Sequence, residues 1–154
     1  MRTARNTVLA LLVLLCACDP GYRYSPTGWA EGPKYWFSHQ EPTFRLHVRS
    51  VGGLIGQTYL GVEGRIENLS SQPITFEQPE LASGGITYFG RYYGKGRPQR
   101  LAVDAGGVHP LGVAFVFSEP LYKTLAEDLV FRLRYRIGSG ELQQFEVKLQ
   151  RHAS

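Results

Sequence analysis

Two cysteines, Cys16 and Cys18, stand one residue apart in the stretch "LLCACDP", Leu14 to Pro20. That spacing suits a redox pair, a thiolate metal site, or a residue modified after synthesis. Further along, "YFGRYYGKGRPQR" (88–100) carries Arg91, Lys95, Arg97 and Arg100 without one acid, interleaved with Tyr88, Phe89, Tyr92 and Tyr93. Such a loop suits sugars, anionic polymers or lipid head groups, because rings stack while guanidinium groups fork onto phosphate or carboxylate. The candidate ligand-binding residues are therefore Arg91, Tyr92, Tyr93, Lys95, Arg97 and Arg100. A plainer reading is a long twisted hairpin whose tyrosines cover a sheet edge. A second basic feature is the alternating row Arg132, Arg134 and Arg136. Like charges along one strand repel, so facing acids are expected, with Glu146 opposite Arg134 or Arg136.

Other chemistries find less support. The histidines His39, His47, His109 and His152 are scattered, and no pair has the short spacing of a metal clamp. No serine sits in a G-x-S-x-G elbow, and "GSG" at 138–140 reads as a hairpin turn. Asp19, Asp104 and Asp128 are isolated, although Glu63 and Glu146 could meet across strands as the acid pair of a hydrolase. "GKGR" lacks the spacing of a phosphate loop, and "NLS" at Asn68–Ser70 reads as a turn. The expectation is a protein that is not an enzyme and uses no metal or cofactor.

The N-terminus places the cysteines. "MRTARNT" carries Arg2 and Arg5 and no acid, "VLALLVLL" is uninterrupted apolar, and small residues follow. This is the pattern of a secretory signal, and the apolar run is too short to span a bilayer as a stop-transfer helix. The string "LCAC" resembles the lipobox of bacterial lipoproteins: Leu15 at −3, a small residue at −2, Ala17 at −1, then Cys18. The resemblance implies cleavage before Cys18, a diacylglyceryl group with palmitate-like chains on its sulfur, and loss of Cys16 with residues 1–17. Redox and metal-thiolate readings then fall, since no other cysteine exists. Asp19 occupies the position that in enteric relatives tends to retain a lipoprotein in the inner membrane, and the choice of membrane stays open. The chain from residue 18 holds 15 Lys and Arg against 13 Asp and Glu, a net charge of +2, so a general nucleic-acid role loses its main support.

These groups must be positioned by the rest of the 154 residues, enough for one domain. Residues 18–42 are rich in Pro, Gly and aromatics. They read as a tether, loose from Cys18 to about Gly32 and docked at "KYWF" (34–37). From Thr43 onward, period-two alternation dominates. Phe44, Leu46 and Val48 oppose Arg45, His47 and Arg49; Leu60, Val62 and Ile66 oppose Glu63, Arg65 and Glu67. "ITYFGRYY" and "RLAVD" are shorter candidates, "LGVAFVF" (111–117) is apolar on both faces as in a central strand, and "YKTLAED" (122–128) is the one helical stretch. Leu129, Phe131, Leu133, Tyr135 and Ile137 lead through "GSGE" to Phe145, Val147 and Leu149, a closing hairpin. The pattern predicts an all-β antiparallel sandwich of seven to eight strands over residues 43–154. "VEGRIENLSSQPITF" is similar to the strand–loop–strand of immunoglobulin-like domains in bacterial surface lipoproteins, which implies that architecture.

The functional expectation is a lipid-anchored, non-catalytic module of a bacterial cell envelope, held to the bilayer through Cys18 and contacting an envelope protein partner. The alternative is a binding module for an anionic glycan or lipid through 88–100. Protein extracted from host membranes should begin at a diacylglycerylated Cys18, and Cys18→Ser should remove the adduct. Intact and N-terminal peptide masses check this; an unmodified chain beginning beyond Cys18 would end the anchor reading.

Overall fold

The computed structural model describes residues 21–32, 36–54 and 56–152. The cysteines, the proposed signal and Lys34–Tyr35 of the "KYWF" segment lie outside the described residues. The chain runs β1 (Gly21–Pro26), β2 (Ala30–Glu31), β3 (Phe37–Gln40), β4 (Phe44–Leu54), β5 (Tyr59–Asn68), β6 (Ile74–Phe76) and β7 (Glu80–Ser83). It continues through β8 (Ile86–Phe89), β9 (Arg91–Tyr92), β10 (Leu101–Val103), β11 (Val108–Val116), the one-turn helix α1 (Leu121–Thr124), β12 (Asp128–Ile137) and β13 (Gln143–Arg151). Every strand pairing is antiparallel.

One layer runs β2-β3-β4-β5-β11-β9, and the other runs β8-β7-β12-β13-β1, with β6 and β10 beside the far half of β12. Backbone joins the layers where β1 pairs with β4, and elsewhere they meet through side chains. Phe44 of β4 packs edge-on to Phe76, Tyr135 and Phe145 of the opposite layer, with ring centroids 5.6, 5.1 and 5.5 Å apart. Phe115 of β11 meets Phe131 of β12 in the same edge-to-face way. The alternation read from the sequence is the alternation of burial: Phe44, Leu46 and Val48 are buried, as are Leu60, Val62 and Ile66, and Leu129, Phe131, Leu133 and Tyr135. The chain is thus the expected all-β antiparallel sandwich.

Asn68 ends β5 as a turn residue and does more. Its buried amide donates to the carbonyls of Gln72, Val103 and Asp104 at 2.8, 3.0 and 3.0 Å, while its Oδ1 accepts from the Ser70 N–H and Oγ. One side chain thereby ties β5 to the turn before β6 and to the end of β10.

Several expectations need correction. The described part of the supposed loose tether is structural: β1 pairs with β4 at Gly21–Tyr24 and with β13 at Tyr24–Pro26. Tyr24 is buried, its hydroxyl donates to the Ala126 carbonyl at 2.8 Å, and burial pushes its phenol up to about 12. Trp29 stacks on His39, which stacks on Phe145, at 5.3 Å each. The sandwich therefore starts no later than Gly21 rather than at Thr43. Among the described residues ten strands, β4 to β13, fill the span expected to hold seven or eight, because ladders of two to three residues such as β9 and β10 are too short to display a period. The stretch "ITYFGRYY" is divided between layers at Gly90: β8 pairs with β7, whereas β9 pairs with β11. "LGVAFVF" lies near an edge, flanked beyond β5 only by the two residues of β9, and Val116 is exposed.

Because Phe44 contacts three aromatic rings across the layers, Phe44→Ala should lower stability by about 3–5 kcal/mol. Chemical denaturation monitored by circular dichroism checks this; a loss below about 1 kcal/mol would show that the inter-layer aromatic cluster carries little of the core.

Candidate binding cleft and edge strand

The residues of the basic loop do not converge on one site. Tyr92 is core: it is fully buried, and burial pushes its phenol well above the usual range. Its hydroxyl donates to the Glu77 carbonyl at 2.8 Å, and its N–H donates to the Pro98 carbonyl at 2.9 Å. Tyr93 lies on the outer face of β5 and β11, its ring over Gly112, where an added Cβ would fall 2.3 Å from the ring, and its hydroxyl against that of Tyr59. Tyr88 packs edge-on to Phe117. With the Gln99 amide oxygen turned toward it, Arg91 donates at 2.8 and 3.1 Å. Lys95 and Arg97 are exposed at the tip, Arg97 with a left-handed backbone of φ 48°. Tyr92 therefore leaves the ligand-contact set, and the loop divides between three surroundings.

Arg100 instead joins the arginine row. An open cleft of about 640 Å³ is lined by Glu77, Gln78, Gln99, Arg100, Arg134 and Arg136 among others, so both basic features of the sequence meet there. Glu77 Oε2 accepts from Arg100 Nε at 2.6 Å, and its Oε1 lies 3.9 Å from Arg136 Nε. Arg134 Nη2 pairs with Glu80 at 2.9 Å, while its buried Nε has no partner among the described residues. The backbone holds Glu77 in place: its N–H donates to the Arg134 carbonyl at 2.8 Å and its carbonyl accepts from Tyr92. The acids expected opposite the row are thus present, with one correction of register. Glu146 faces Arg132, at 2.7 Å, rather than Arg134 or Arg136. The residues between Ile137 and Gln143 form a longer turn than "GSGE" alone. Glu63 and Glu146 stand on β5 and β13, which are not neighbours, so that acid pair does not form.

A second surface is the outer edge of β8. The hairpin β7–β8 turns on Gly84 and Gly85, both with positive φ (55° and 82°), the geometry of a two-residue type I′ turn. In that register Ser83–Ile86 and Leu81–Tyr88 exchange hydrogen bonds, so the N–H and C=O of Thr87 and Phe89 point away from β7. Among the described residues β8 pairs with no other strand, and Ile86 and Phe89 are 56% and 58% exposed.

On the outer face of β3, β4 and β5, Ser38 Oγ lies 2.7 Å from His47 Nδ1, and His47 Nε2 lies 3.1 Å from Glu67. The neutral tautomer protonated on Nε2 satisfies both contacts. Sequence spacing could not reveal this chain, since its members come from three strands. Glu67 is shared with Arg45 Nη1 at 2.9 Å and Arg65 Nη2 at 3.5 Å, which makes it the hub of a surface ion network. His39 bonds Glu41, His109 bonds the Pro110 carbonyl, and His152 bonds Ser25. Among the described residues, no three His, Cys, Asp or Glu side chains cluster as metal ligands would.

No protein-family profile matches the chain, and no curated protein matches it. Among solved structures it is similar to the yeast GGA1 GAE domain (P21 crystal form), at 13% identity and a TM-score of 0.35, over 75% of this chain and 97% of that one.

Burial, then the Arg65 charge, holds the His47 imidazole below its usual pKa, although Glu67 pulls the other way. The unfolded chain therefore binds this proton at higher pH than the folded chain, and stability rises with pH between the two values. Stability should fall as pH drops through about 6.5, by no more than about 1.4 kcal/mol per pH unit for this one proton. Denaturation of wild type and His47→Gln between about pH 8 and pH 5 checks this. A smaller slope is expected in the variant, and an unchanged slope would assign the dependence to other groups.

Proposed function

We propose that this protein is a lipid-anchored, non-catalytic module of a bacterial envelope that captures an extended segment of a partner protein on the free edge of β8. The observation that carries the reading is the edge itself. A strand edge presents unpaired N–H and C=O groups in register for another strand, and folded proteins usually blunt such edges by shortness, proline or charge. The edges at β2, β9 and β10 are two or three residues long. β8 is "ITYF", with no charge and no proline, and it displays two large apolar side chains. Main-chain hydrogen bonds to Thr87 and Phe89 would supply affinity, and apolar side chains on the two faces of the partner segment would pack beside Ile86 on one face and Phe89 on the other. The proposed acyl group on Cys18 supports the same role. With Gly21 already in the sheet, only two residues separate the modified cysteine from the fold, so the module would ride close to the bilayer.

A photo-crosslinker placed at Phe89 should give a discrete adduct with an envelope protein in host membranes, and one at the equally exposed Val108 should not. Thr87→Pro removes one outward N–H while leaving the β7 ladder intact, so it should abolish the adduct and change stability by less than about 0.5 kcal/mol. Equal adducts from both positions, an adduct that survives Thr87→Pro, or an adduct between two copies of this chain would overturn the reading.

A further inference from the structure

We infer that the cleft between Arg100, Arg134 and Arg136 is a binding site for a phosphodiester group. Three guanidinium groups line it and two carboxylates pair with them, Glu77 and Glu80, which leaves one positive charge in excess. A phosphodiester monoanion supplies the matching charge.

The donors are also free. Glu77 engages both Arg100 and Arg136 through Nε, so its contacts leave the terminal forks unoccupied. Arg100 makes no hydrogen bond from Nη1 or Nη2 among the described residues, and Arg136 uses only Nη1, on the Gly140 carbonyl at 3.3 Å. The buried Arg134 Nε is the one buried side-chain polar atom without a partner among the described residues. Arg134 Nη1 makes no hydrogen bond among the described residues, its partner Glu80 being held by Nη2. Donors from three residues around one opening suit the two non-bridging oxygens of a phosphodiester, each of which can accept from more than one guanidinium group.

The rest of the lining fits the same ligand. Gln78 and Gln99 add neutral polar groups to the lining, and Pro98 and Leu142 add apolar ones. A volume of about 640 Å³ lies within the usual range of small-ligand sites, roughly 300–1,000 Å³. Tyr92 is a positioning residue: its N–H holds Pro98 on one wall and its hydroxyl holds Glu77 on the other.

The test is calorimetric titration of the full chain with glycerophosphoglycerol, a soluble phosphodiester, together with sedimentation on phosphatidylcholine vesicles with and without phosphatidylglycerol. Saturable binding of the soluble diester is expected, weakened about tenfold or more by Arg100→Ala, whose side chain is 71% exposed. Glu77→Gln should tighten binding severalfold, because it removes the competing negative charge while an amide oxygen still accepts from Arg100. Lys123→Ala, on α1, should change nothing. Extra sedimentation with phosphatidylglycerol that the soluble diester competes away would identify a lipid head group as the source; soluble binding without it would identify a free phosphodiester. No saturable binding of the diester, weakening by Glu77→Gln in a variant that melts like wild type, or equal weakening by Lys123→Ala would overturn the inference.

Discussion

The sandwich depends on a change of partner within a single strand. β4 pairs with β3 from Arg45 to Val48, its register against β5 shifts between Val48 and Ser50, and beyond the shift it pairs with β1 from Val51 to Leu54. A bulge of this kind bends a strand and sharpens its twist, which lets one strand serve two neighbours. Gly64 makes the shift possible: a Cβ there would fall 1.9 Å from the His47 carbonyl, so no side chain fits against the bulge. Without the bend β1 could not lie between β4 and β13, and the two layers would lose the strand that joins them.

That junction sets the character of the two outer faces. On the β3–β4–β5 face, Arg45, His47 and Arg65 gather around the single carboxylate of Glu67. On the β12 face, the arginine row receives carboxylates from elsewhere in the chain, Glu146 from β13, Glu80 from β7 and Glu77 from the segment after β6. Neutralisation there is incomplete, because Arg100 arrives as a further cation and draws on Glu77, already near Arg136. Exposed ion pairs of this sort contribute little stability, typically about 0–1 kcal/mol. Their arrangement therefore bears more on what the face can hold than on how firmly the sandwich folds.

The edges follow from the same topology. Gly90 carries the chain from β8 in one layer to β9 in the other, and an added Cβ there would meet the Phe115 ring at 2.8 Å. That crossing leaves β8 with a single neighbour while drawing Tyr92 inward. The exposed edge and the fixed walls of the cleft are two consequences of one crossover.

Local pattern was enough to show which face of each long strand is buried. Alternation in β4, β5, β12 and β13 marks Phe44, Leu46, Val62, Leu133 and Val147 as core, because side chains of successive strand residues point to opposite sides whatever the strand pairs with. Asn68 was legible as a turn for a similar reason, its side chain acting mainly on nearby backbone. Pairing was not legible. The register that sets Glu146 against Arg132, the recruitment of β1 from a stretch that read as tether, and the meeting of Arg100 with Arg134 and Arg136 each join residues far apart in the chain. The sequence by itself determined an all-β chain, the inward and outward sides of its long strands, and an excess of arginine on two segments. Only the tertiary structure decided which arginines share a cleft and which edge stays open, because hydrogen-bond register and crossovers between layers arise from contacts that no local period encodes.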